Sequence, residues 1–154
     1  GDAADAQEQL SRAKALYLRS LQISETLAAA DPSNALVQHD LTSSLQRLAS
    51  IAAAEGRDEQ AEDLFRRALA ILEDLAGLES DSAERQHEFL QAQLELAEFL
   101  AERDQRPAAQ KIARAAAAVV GRVRRQLSEA DADELDDRLR RLLPRGEGSH
   151  RPRH

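Results

Sequence analysis

The sequence predicts an all-α protein: a right-handed stack of antiparallel helix hairpins, closed by a C-terminal capping helix. Three observations carry that expectation. Of 154 residues, 30 are Ala and 23 are Leu, while Ile and Val together give eight and aromatics only four (Tyr17, Phe65, Phe89, Phe99). Ala and Leu lose little on entering a helix, and a sheet core would need the β-branched residues that are scarce here. Turn signals recur along the chain and leave long helical blocks between them. Finally, the sequence matches itself at a shift of 48 residues.

The elements follow in order. A first helix is expected over about 4–30, stopped by Asp31-Pro32, because proline disfavours helix at the residue before it. Ser33 or Asn34 can cap a second helix over 34–55. Gly56 suits its C-terminal cap, and Asp58 is an N-cap candidate for a third helix over 59–77. Leu78 to Ser82 forms the next break, followed by a helix over 82–103. Pro107 suits the first turn of a helix over 107–127. Ser128-Glu129-Ala130-Asp131 reads as a capping box that opens a last helix over 129–143. That helix carries Leu135, Leu139 and Leu142 at i, i+4 and i+7, with charges behind them, as a terminal cover requires. From 144 to 154 there is no apolar residue worth burying, so a disordered tail is expected.

The self-match includes charged and apolar positions alike. Leu16-Tyr17-x-Arg19-x-Leu21-x-Ile23-x3-Leu27 becomes Leu64-Phe65-x-Arg67-x-Leu69-x-Ile71-x3-Leu75. Ala35-x2-Gln38-His39-Asp40-Leu41 becomes Ala83-x2-Gln86-His87-Glu88-Phe89, and Ala13, Ala61 and Ala109 fall in line. Amphipathic helices alone would not repeat Gln-His-acid. One helical repeat domain over 1–143 is therefore expected, in equivalent blocks 13–60, 61–108 and 109–127, with the capping helix at 129–143.

These residues resemble the tetratricopeptide repeat family. Leu45, Leu48 and small Ala49 stand on one helix, Gly56 at the turn, and Ala61, Phe65 and Ala68 on the next. The period is longer than the family's usual one, the first-helix aromatics are replaced by Leu45 and Ala52, and Glu73 stands where a proline is usual. A long-period bacterial variant with an Asp-Pro-x-Asn link, as at Asp31 to Asn34, is the nearest resemblance. It implies an α-solenoid that acts as a protein–protein interaction scaffold, with the first helices of successive hairpins lining a concave binding face. The chain opens on the second helix of a hairpin, which reads as the C-terminal module of a larger bacterial signalling or regulatory protein. The excess of Arg (19) over Lys (2) is a codon-level sign of a GC-rich genome.

Composition narrows the function. There is no Cys, hence no disulfide, thiolate nucleophile or Cys-bound zinc. No apolar run reaches the roughly 18 residues of a membrane span, so a cytoplasmic protein without membrane contact is expected. Serines lack a nucleophile turn, six glycines form no phosphate loop, and the acids sit on charged helix faces, so no enzyme and no cofactor is expected. His39 and His87 are repeat-equivalent and lack a third ligand, and His150 and His154 fall in the tail, so no metal is expected. The net charge of −7 opposes nucleic-acid binding. The segment 106–127 holds six basic residues (Arg106, Lys111, Arg114, Arg122, Arg124, Arg125) and no acid, which could bind phosphates but suits neutralising Asp131 to Asp137 better.

The sharper candidate is a groove. His39, Ser43, Gln46 and Ser50 recur at i, i+4, i+7 and i+11 and form one line on a helix. The next repeat offers His87, Gln91, Leu94 and Glu98, with Glu102 beyond. This surface could hydrogen-bond a peptide or partner domain. The imidazoles of His39 and His87 should sit beside Ser43 and Gln91, one turn on, with Asp40 and Glu88 pointing elsewhere. Two alternatives stand beside it: self-association through the apolar edge of 4–30, and nucleic-acid binding through 106–127.

Overall fold

The computed structural model describes residues 1–145. Among them are α1 (Asp2–Ala30), α2 (Ala35–Ala54), α3 (Asp58–Leu78), α4 (Ala83–Glu102), α5 (Arg106–Val123), a 3₁₀ turn (Arg124–Gln126) and α6 (Glu129–Leu142). The protein is all-α, and no strand occurs among the described residues. The tail expected over 144–154 lies outside the described residues from 146 onward; Pro144 and Arg145 are exposed and follow the last helix.

Local chemistry sets each boundary. The Asn34 side chain accepts from the amides of Leu36 and Val37 at 3.1 and 3.2 Å. Ser82 caps α4 through the Arg85 amide at 3.2 Å, and Ser128 caps α6 through the Asp131 amide at 3.1 Å. At the end of α2, Gly56 lies in the left-handed region at φ 77°, with Arg57 N–H on the Ala52 carbonyl and Gly56 N–H on that of Ala53. That is the Schellman pattern. It recurs 48 residues later, where Gln105 and Asp104 donate to Leu100 and Ala101, but the left-handed position there is Asp104, at φ 59°. A residue other than glycine is strained in that region, Asn and Asp less than the rest. Asp104→Gly is therefore expected to raise stability by about 0.5 kcal/mol, offset in part by the freer unfolded chain. A thermal melt with no gain would show that Asp104 compensates its strain locally.

The repeated Gln also has a structural role. Gln38 Nε2 donates to the Pro32 carbonyl at 3.3 Å, and its equivalent Gln86 donates to Ser80, the equivalent of Pro32, at 3.5 Å and to Ala76 at 2.9 Å. Each Gln thus clasps the link that precedes its own helix.

The chain forms two compact units, Gly1–Ile71 and Leu72 onward, divided within α3. In the first, α1 packs on α2 across the short link at Asp31 to Asn34. Leu18 and Leu21 of α1, Leu48 and Ala52 of α2 and Leu64 of α3 border a common hollow of about 240 Å³. Leu45, Ala49 and Ala61 are fully buried. Helix α1 is lopsided: of its residues only Leu21 and Ser24 are buried.

In the second unit α4 is the central element. It packs along α5, and α6 lies against both. Leu90, Leu94, Leu96, Ala97 and Leu100 of α4 are fully buried, against an α5 face of Ala109, Ala113, Ala116, Ala117, Val119, Val120 and Val123. Such short side chains let two helix backbones approach closely. The fifth helix does not run to 127 as expected. It gives way after Val123 to the 3₁₀ turn, where Leu127 N–H bonds Arg124 O at 3.2 Å, and Arg124 turns onto α6. No helix among the described residues is long and apolar enough to cross a membrane.

Candidate functional site

The two expected rows have different surroundings, each within its own unit. On α2, Ser43 and Ser50 are exposed, while His39 and Gln46 are half-buried. Buried Thr42 donates through Oγ1 to the His39 carbonyl, one turn back on the same helix, at 2.7 Å. Beside Ser43, a cleft of about 320 Å³ separates α2 from α1; Asp40, Ser44 and Arg47 line one wall, and Tyr17, Ser20 and Ser24 the other.

On α4 the corresponding row is engaged by α6. Arg138 donates through Nη1 to the Gln91 side chain and through Nη2 to Glu98, with a further bond from Nε to Glu98 Oε2 at 3.2 Å. The Glu98 hydrogen bonds raise the Arg138 guanidinium further above its ordinary range, although burial works against them. His87 Nε2 lies 3.2 Å from Gln91 Nε2 and 3.8 Å from Asp131 Oδ1 of α6. Glu88 pairs with Arg85 at 3.2 Å. Glu102 is exposed and pairs with Arg103, whose guanidinium lies 4.1 Å over the Phe99 ring. Leu94, placed in the groove from its spacing, is instead a core residue with 0% exposure. The helix lies under two others, so its buried arc is wider than one apolar stripe and takes Leu94 in.

Glu95, half-buried beside this cluster, has its carboxyl pushed above the usual carboxylate range by burial; Arg138 draws it down and Glu98 adds to the rise. A carboxyl with a higher pKa in the folded than in the unfolded chain stabilises the fold only while protonated. That contribution is lost as pH rises from the ordinary value through the folded one. Glu95→Gln is therefore expected to raise the melting temperature at about pH 7 and to give no gain below about pH 4. A lower melting temperature at neutral pH would show that attraction to Arg138 outweighs burial.

Of the basic segment, Arg124 is committed to α6. It holds the buried Asp136 with two bonds, of 3.0 and 2.8 Å. Among the described residues no group of three His, Asp or Glu is placed to hold a metal ion. Sequence reasoning missed the α1–α2 cleft, because it follows single helices and the cleft needs two. A signal was present: Ser20 and Ser24 stand where the later copies have Ala68 and Ala116, and Leu72 and Val120. It also missed Gln93, which is buried and whose Oε1 has no hydrogen-bond partner among the described residues.

No protein-family model and no curated protein matches the chain. A crystal structure of BtubC (BKLC) from P. vanneervenii is 18% identical, with a TM-score of 0.37 over 90% of this chain and 76% of that one. A likeness that slight decides neither the fold family nor the function.

Proposed function

We propose that the protein is a non-catalytic protein–protein interaction scaffold, a right-handed stack of tetratricopeptide-like hairpins. It binds an extended or helical peptide along the polar face of α2. What supports this reading is the contrast between two repeat-equivalent rows. The α4 row spends Gln91 and Glu98 on Arg138, whereas the α2 row leaves Ser43 and Ser50 to solvent. Hydroxyls, an amide and an imidazole in one line can pair with a peptide backbone without a costly desolvated charge. Nucleic-acid binding through 106–127 is less favoured, since Arg124 is held by Asp136 and the chain is net acidic.

The test is selection of a displayed random-peptide library on the full chain. Enriched peptides are expected to lose at least about tenfold in affinity, or 1.4 kcal/mol, against a His39→Ala/Gln46→Ala variant that melts like the parent. Enriched peptides indifferent to both substitutions, or no enrichment at all, would remove this face as the working surface.

A further inference from the structure

We propose that the open face shared by α1 and α2 is a slot for an amphipathic, acid-bearing helix of a partner protein, seated there as α4 is seated on α5 and α6. This surface is separate from the α2 row, and only Ser43 borders both. Leu16, Ile23 and Leu27 lie at i, i+7 and i+11, one line along α1, and are 66%, 53% and 50% exposed. Three large apolar side chains in a row on one helix face mark an interaction surface rather than scattered exposure.

The repeat identifies what such a face takes. A shift of two repeats carries Ser20, Ile23 and Leu27 of α1 onto Ala116, Val119 and Val123 of α5, and all three are buried. One repeat carries Leu16 and Leu27 onto Leu64 and Leu75, also buried. The remaining equivalents, Ile71 and Ile112, are half-buried, so the stripe is exposed along its length only on α1. In the second unit α4 packs along α5, and both contact α6. The pair α1–α2 corresponds in chain order to α5–α6, a second helix followed by the next first helix. On α1–α2 the place that α4 fills is the cleft of about 320 Å³, which Ile23 also borders.

Charge completes the description of the occupant. In the second unit the cation on the α6 wall, Arg138, grips Glu98 of the seated helix. On the α2 wall Thr42 stands in the place of Arg138, and the charged groups that line the cleft are Arg47 and Asp40; Arg19 flanks the α1 stripe, and neither Arg47 nor Arg19 has an ion pair among the described residues. Arg67, the repeat equivalent of Arg19, is paired with Glu25 at 2.8 Å. An incoming helix whose acids meet Arg19 and Arg47 and stay clear of Asp40 suits both walls. A second copy presenting the same α1 stripe would instead bring Arg19 toward its own like charge. Leu16 to Leu27 covers about three turns, so the matching helix has a similar length.

The probe is a fluorescein-labelled peptide of residues 82–103, the helix that fills the equivalent slot, added to the full chain and followed by anisotropy. Saturable binding is expected. Leu16→Glu/Ile23→Glu/Leu27→Glu should weaken it at least tenfold with an unchanged circular-dichroism melt, because all three positions are exposed, and Arg47→Glu should weaken it several-fold. No saturation up to about 1 mM peptide, or binding that the triple variant retains, overturns the proposal; the second result would mean that the peptide replaces the chain's own α4. Sedimentation of the chain alone is the other arm. A parent that dimerises and a triple variant that does not would make a second copy the occupant and would equally overturn it.

Discussion

Replacing Arg124 by Ala is expected to lower the stability of the second unit by about 2–3 kcal/mol. Asp136 is the reason. Its side chain is 5% exposed, on the inner face of α6 beside Leu135 and Leu139, and Arg124 grips it with two bonds. A carboxylate buried among apolar side chains loses water, and the forked guanidinium replaces much of what water supplied. The same pairing raises the Arg124 guanidinium above its ordinary range, against the opposing effect of burial. Removing one partner of a fully buried pair typically costs about 3–5 kcal/mol; the estimate here is lower because Arg124 itself is 30% exposed. Urea unfolding of Arg124→Ala, Asp136→Asn and the double variant closes the cycle. The double variant should recover part of the loss, since the amide carries no charge to leave stranded. If Arg124→Ala costs less than about 0.5 kcal/mol, the pair behaves as a surface ion pair.

The pairing also bears on how the basic segment is understood. Six like charges without an acid between them could bind phosphates, but beside the acids of 131–137 they read better as neutralising charge. The partner of Arg124 is only 12 residues away, but on another helix, and the α-helix must tighten into the 3₁₀ turn before the two meet. A neutralising role for the segment could be read from charge alone; the change of helix type could not.

More generally, the legible features were those fixed by neighbours in sequence. Asn34, Gly56, Ser82, Pro107 and Ser128 act within a turn or two of themselves, so the helix boundaries follow from chain chemistry. The 48-residue match was legible for the same reason, and the Gln38 and Gln86 clasps are one of its local causes. Burial was less legible. A row at i, i+4, i+7 and i+11 fixes which residues share a face but not how many helices cover it. One row was therefore expected to serve both repeats. The structure leaves Ser43 and Ser50 of α2 exposed and ties Gln91 and Glu98 of α4 to Arg138, 40 or more residues further along. The apolar edge over 4–30 was legible as a face without a partner, but which side chains form it was not, because the pattern of Leu16, Ile23 and Leu27 is that of a helix buried on that side.

Leu94 decides between these two accounts of α4. Leu94→Ala is expected to destabilise the second unit by about 3 kcal/mol, within the roughly 2–5 kcal/mol range for a buried leucine. The residue is fully enclosed, with Leu90, Ala97 and Leu100 also at zero exposure on the same helix. Truncation removes apolar contact and leaves a void, and a helix with neighbours on two sides has little freedom to close it. Leu94→Met keeps the volume and should cost less than about 1.5 kcal/mol. Leu78→Ala, at a side chain 82% exposed, should stay within about 0.5 kcal/mol and serves as the control. The measurement is urea denaturation of the full chain with the slope compared across variants, since a constant slope assigns the change to stability rather than to the unfolded ensemble. A leucine lining an open groove would give the opposite pattern: an unchanged midpoint for Leu94→Ala and a loss only in peptide affinity.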